Sequence, residues 1–233
     1  MYTNKKTGRI VGVLFLIVFI IGALGTSLRG LSTSLVESEN FLATVHENSL
    51  QMKIAILLDI ISSTVGVGIA IFLFPFLKKY NNYIALLYLT FWIIEFSIIM
   101  VSNITHFSLL SLSQEFVQGN VSDPTYFNML GFLKFEEYYW AHFLILIVYS
   151  SGAALFYYLL YKVKLIPRLL SAWAFIAVTI VFIVTWMQIF DYSVSFVFYL
   201  QNGVHFIVIS IWLIVKGFNS TVIPTESVKP SIS

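Results

Sequence analysis

Six apolar stretches of roughly twenty residues or more recur along this 233-residue chain, and they leave it essentially one class of fold. Hydrocarbon offers no partner to backbone N–H and C=O groups, so a segment buried in lipid must close its own hydrogen bonds as a helix. The spans are expected at about 10–27, 52–77, 83–109, 138–161, 168–190 and 195–216. The predicted fold is therefore all-α: a polytopic membrane bundle of six transmembrane helices in a single integral domain over residues 1–218. A Ser/Thr/Pro-rich stretch over 219–233 reads as a flexible cytoplasmic tail. Composition agrees, at 59% hydrophobic and only 10% charged, with mean hydropathy +0.90. A soluble domain carries about 25% charged residues.

The charges fix a threading. Ten of the thirteen lysines and arginines fall on one edge if the helices alternate: Lys5, Lys6, Arg9, Lys78, Lys79, Lys162, Lys164, Arg168, Lys216 and Lys229. The other edge holds Glu37, Glu39, Glu47, Glu115, Asp123, Glu136, Glu137 and Asp191, opposed only by Arg29, Lys53 and Lys134. Basic loops stay in the cytoplasm. Both termini are thus expected inside, in a cytoplasmic membrane, and the Ile-, Phe-, Tyr-, Asn- and Lys-rich composition suggests a bacterial one. Net charge is only +2, which gives no reason to expect nucleic acid as a partner. The expected partners are the lipid bilayer and an unknown small molecule or ion. With no cysteine, disulfides, thiol catalysis and thiolate metal sites are excluded. No cofactor is expected, and nothing in the sequence sets the oligomeric state.

Between the spans, three features stand out. The first span ends Ala23-Leu24-Gly25 behind Lys5, Lys6 and Arg9, which resembles a cleavable signal; its length favours a retained span. Leu31, Leu35, Phe41, Leu42 and Val45 form an amphipathic segment expected on the bilayer surface. The stretch from Ser111 to Glu137 carries Gly119, Asp123-Pro124 and Gly131 as turn signals, before Tyr138, Tyr139 and Trp140 open span four as an interfacial anchor. The sequons at Asn103 and Asn120-Val121-Ser122 are read as chance.

A weak internal echo links Gly68-Ile69-Ala70-Ile71-Phe72 to Gly152-Ala153-Ala154-Leu155-Phe156, 84 residues on. It suggests a duplicated helix pair. The plainer reading is that small residues recur wherever membrane helices pack closely.

Several stretches together resemble a known family. They are Arg9-Ile10-Val11-Gly12-Val13-Leu14-Phe15-Leu16, Leu73-Phe74-Pro75-Phe76-Leu77-Lys78-Lys79, Leu109 to Phe116, Gly152 to Arg168, and Trp212-Leu213-Ile214-Val215-Lys216-Gly217-Phe218. From about residue 5 to 218 the chain is similar to the bacterial multi-pass membrane proteins grouped as domain of unknown function 4386. The resemblance implies the bundle and no particular activity. It also implies an arginine three residues before the acid of span three. Trp92 stands there, so any Arg–Glu pair of that kind is lost or rerouted.

The chemistry-bearing residues are the polar groups inside apolar runs, which are costly and usually face the bundle interior. Asp59 and Glu95 each come out about 12 Å below the outer face, and His205 about 16 Å from the inner one. Ser62 follows Asp59 at helical spacing, Ser102 lies on the stripe of Glu95, and Asn202 sits one turn before His205. These six are the candidates for a proton, cation or ligand site. His106, His142 and His205 are the candidates for a metal site, since imidazole and carboxylate suit zinc or iron. Three functions remain open: a binding or carrier-type protein with a polar cavity in the outer half of the bilayer, a membrane-embedded metal-dependent hydrolase, and a structural protein whose polar groups only lock helices together. Ser102 and His106 at four-residue spacing loosely resemble hydrolases of the ceramidase type. The paired histidines such enzymes carry on a last helix are missing, position 201 being glutamine.

Overall fold

The computed structural model describes residues 4–31, 38, 40–119 and 124–220. Leu35, Glu37, Glu39, the Asn120-Val121-Ser122 sequon, Asp123 and the tail from 221, with Lys229, lie outside them. Among the described residues there are seven helices and no strand. They are α1 (Asn4–Arg29), α2 (Phe41–Glu47), α3 (Ser49–Leu77), α4 (Asn82–Val117), α5 (Pro124–Val163), α6 (Arg168–Ile189) and α7 (Val197–Lys216). All but α2 are long and apolar enough to cross a membrane.

Two of them run well past their expected spans. At 1.5 Å per residue the 36 residues of α4 reach about 54 Å and the 40 of α5 about 60 Å, against a hydrocarbon core of about 30 Å. Most of the stretch expected as a loop from Ser111 to Glu137 is therefore helix. Two of its three turn signals act as punctuation: Gly119 adopts left-handed φ +76 just after α4, and Pro124 is the first residue of α5, where its missing N–H costs nothing. Gly131 is inside α5 for a different reason. A Cβ there would lie 2.9 Å from Leu42 Cδ2 and 3.1 Å from Phe41 Cε1, so the glycine lets α2 approach.

The chain divides into two compact units, with the boundary falling inside α1, α3, α4 and α5. The first comprises residues 1–18, 64–95 and 146–233. Its core joins Leu73 and Leu77 of α3, Phe156, Tyr157 and Leu160 of α5, Ala174 and Val178 of α6, and Leu213 of α7. The second unit comprises residues 19–63 and 96–145. Its core gathers Phe41, Leu42 and Val45 of α2 with Met52 and Ile56 of α3, Leu109 and Leu110 of α4, and Phe135 of α5. This corrects the expected bilayer-surface position of α2: Phe41, Leu42 and Val45 are at most 2% exposed. The α4 and α5 extensions supply the apolar wall that a lipid surface was expected to provide.

The proposed repeat finds no structural echo at its glycines. A Cβ on Gly152 would meet Phe91 Cβ at 2.8 Å, whereas one on Gly68 would meet nothing within 4 Å. One glycine admits a neighbour and the other does not, as expected of small residues that recur for local reasons.

Candidate functional site

Among the described residues, the second unit holds a buried ion pair and several buried polar side chains. α1 ends at Arg29 because Gly30 turns left-handed (φ +64), leaving the guanidinium at a helix C-terminus, where a cation is favoured. Arg29 donates to the Asp59 carboxylate of α3, forming an ion pair. The pair is well withdrawn, with side chains 6% and 19% exposed. The α1 backbone comes close to it: a Cβ on Gly25 would sit 3.0 Å from Asp59 Oδ1. Gln51 ties the same helix end by donating to the Leu28 carbonyl at 2.7 Å. Ser63 does not serve the carboxylate. Its hydroxyl donates to the Asp59 backbone carbonyl at 2.8 Å.

Tyr138 of α5 links this pair to two histidines. The Arg29 guanidinium lies 5.2 Å from the Tyr138 ring centroid, a cation–π distance. The His106 ring meets Tyr138 edge-on at 4.7 Å, and His142 lies 6.3 Å from it. Exposure falls along the series. His142 is exposed, Tyr138 is half-buried, and His106 is 1% exposed. One turn before His106, Asn103 is 3% exposed and neither its amide nitrogen nor its amide oxygen has a hydrogen-bond partner. The His106 ring nitrogens have no side-chain partner, and Arg29 Nε is likewise uncommitted. A buried polar atom without a partner costs about 1–3 kcal/mol. Among the described residues such atoms occur in the first unit too, at both ring nitrogens of His205. Ser102 is buried beside Asn103, and Ser62 is buried on α3 one turn after Asp59.

The first unit holds Glu95, Asn202 and His205. Glu95 lines a small space of about 20 Å³ together with Tyr88, Trp92, Tyr149 and Phe156. That is room for about one water. Glu95 has no ion-pair partner among the described residues. Trp92, standing where the family resemblance implies an arginine, instead lies across Gly66 of α3; a Cβ there would come within 2.2 Å of Trp92 Cζ3. Asn202 Nδ2 donates to the Tyr149 hydroxyl at 3.4 Å, which connects α7 to the wall of that space. His205 is fully buried and packs edge-on against Tyr157 at 5.5 Å and Trp173 at 6.2 Å.

The structure thus gathers His106 and His142 around Tyr138, and sets His205 among aromatic rings of the other unit. Among the described residues, no three His, Asp or Glu side chains are disposed to hold a metal ion. Sequence reasoning did not find Arg29, which it placed on a loop beyond span one, or Tyr138, which it read as an anchor. The signal for Arg29 was present: an arginine followed by glycine is the pattern of a helix C-terminus.

Six membrane-length apolar helices make this a multi-pass helical membrane protein. Residues 10–217 match the family described as "Domain of unknown function (DUF4386)", and the chain belongs to that family. No curated protein and no solved structure matches it.

Proposed function

We propose that this is a small-molecule binding or carrier-type protein of the bacterial cytoplasmic membrane, with both termini in the cytoplasm, whose working site is the Arg29–Asp59 pair. The basic edge supports the orientation. One observation carries the functional reading: a series of falling exposure, His142, Tyr138, His106, meets a buried ion pair at Tyr138, in a unit that also holds uncommitted polar atoms of Asn103 and His106. Such a pair can exchange partners. An anionic ligand group takes Arg29 as a proton takes Asp59, so no buried charge is left alone at any step. Charge-assisted bonds favour a carboxylate or phosphate on the guanidinium. His106 and Asn103 add a donor and acceptors for the rest of a polar ligand. In the other unit Glu95, with Tyr149 and Asn202, is the second proton-accepting group, and His205 lies one turn further along α7.

The test is thermal unfolding of the purified full chain against organic acids, amines and amino acids. A true ligand at a hundredfold excess over its Kd raises the wild-type midpoint by about 5 °C or more and leaves Arg29→Met with Asp59→Leu, which carries no guanidinium, unmoved. If no compound separates wild type from that double variant, the pair is a helix lock and the carrier reading fails.

A further inference from the structure

The basic edge of the first unit is more than a scatter of topological charges. A cleft of about 700 Å³ opens there, lined by Lys5, Lys164, Arg168 and Lys216 over a floor of Ile166, Trp212 and Phe218. Among the described residues, no acidic side chain lines it. Four cations sharing one concavity repel one another, an arrangement that favours an anion.

The cleft is built by segments far apart in sequence, and Asn219 fastens them. Its backbone N–H donates to the Leu165 carbonyl at 2.8 Å, and its side-chain amide donates to the Lys164 carbonyl at 3.4 Å. Its own carbonyl accepts from Asn4 at 3.2 Å. Beside it, Gly217 (φ +72) presses against the Lys5 backbone so closely that a Cβ would clash. Lys5, Lys164 and Lys216 are thereby held around one opening. Lys164 also occupies a costly position. The turn ending α5 has the Leu165 N–H bonded to the Leu160 carbonyl at 3.1 Å, with Lys164 between them at φ +56. Glycine normally fills that left-handed position. A lysine there gives up stability and puts a charge at the cleft.

The surroundings are apolar and outward-facing. Leu169 is 82% exposed, and Ile211 and Val215, one turn apart on α7, are 50% and 56% exposed. In a membrane protein those faces meet acyl chains, while Trp212 on the floor suits the interface.

We propose that this cleft is a binding site for a phosphate-bearing anion, through Lys164 and Arg168 on one wall and Lys5 and Lys216 on the other. The same chemistry is offered by an anionic phospholipid headgroup and by a free phosphate compound, and the experiment separates the two. Full-length protein is released into detergent, and retained lipid is counted by native mass spectrometry after adding phosphatidylglycerol or phosphatidylcholine. The wild type keeps phosphatidylglycerol in preference to phosphatidylcholine. Lys164→Gln with Arg168→Gln lowers that retention about tenfold, and so does Lys5→Gln with Lys216→Gln. Lys78→Gln with Lys79→Gln, on the same edge but outside the cleft, leaves it unchanged. Retention that persists in excess inorganic phosphate identifies the lipid as the source; retention abolished by it identifies a free phosphate compound. Lys164→Gly supplies a readout that a merely structural lysine would not give: the unfolding temperature rises while retention falls. Equal loss in the Lys78/Lys79 variant, or no loss in either cleft variant, overturns the proposal.

Discussion

Asp59 and Glu95 look alike in the sequence: each is a lone carboxyl inside an apolar run. Their surroundings diverge. Asp59, in the second unit, meets a guanidinium delivered by the end of α1. Glu95, in the first, meets tyrosine, tryptophan and phenylalanine around a space for about one water. The contrast lies in what neighbouring helices bring. α1 ends at a glycine that leaves Arg29 against Asp59, whereas the position three residues before Glu95 is filled by a tryptophan packed on Gly66. The energetic consequence has opposite sign. A paired buried carboxylate is destabilised by removing its partner, and an unpaired one is relieved by neutralisation.

The largest effect that could break this contrast is at Arg29. Arg29→Ala leaves Asp59 withdrawn and unpaired, and should lower stability by about 3 kcal/mol in denaturant unfolding. Arg29→Met with Asp59→Leu should recover most of that loss, since an apolar pair of similar volume carries no stranded charge. Next comes the packing that defines the second unit. Gly131→Val forces a branched side chain against Leu42 and Phe41 and should cost about 2 kcal/mol, detected as faster proteolysis around α2. Smaller still, Glu95→Gln should be neutral or stabilising by up to about 1 kcal/mol, in contrast to Asp59→Asn, which should destabilise. A destabilising Glu95→Gln would show that Glu95 is held by a partner after all. The smallest effect belongs to the basic edge, where Lys78→Gln with Lys79→Gln should change stability by no more than about 0.5 kcal/mol.

The helices were legible in the sequence because length and hydropathy alone force them in lipid, and the charge asymmetry pointed to the Arg29-bearing and Lys5-bearing edges as different places. The site was only half legible. Asp59 and Glu95 announced themselves as acids in apolar runs, but nothing local to Asp59 names its partner thirty residues earlier. Reading span one as ending near residue 27 put Arg29 outside, when two more residues of helix turn it inward. Gly131 misled in a similar way. A glycine read alone signals a turn, and only the position of α2 shows that it serves close approach within a continuous helix. The orientation of α2 was hidden for the same reason, because its apolar face fits lipid and an α4–α5 wall equally well.

We propose that the Arg29–Asp59 cluster is a reachable polar site and not a sealed lock between helices. The natural chain has no cysteine, so Asn103→Cys creates a single thiol beside His106. Its labelling by a small membrane-impermeant thiol reagent, added to one face of oriented vesicles, measures access directly. Labelling is expected from the face bearing α2, and faster when Asp59→Asn releases Arg29. A thiol that stays unreactive from both faces, with or without Asp59→Asn, contradicts it.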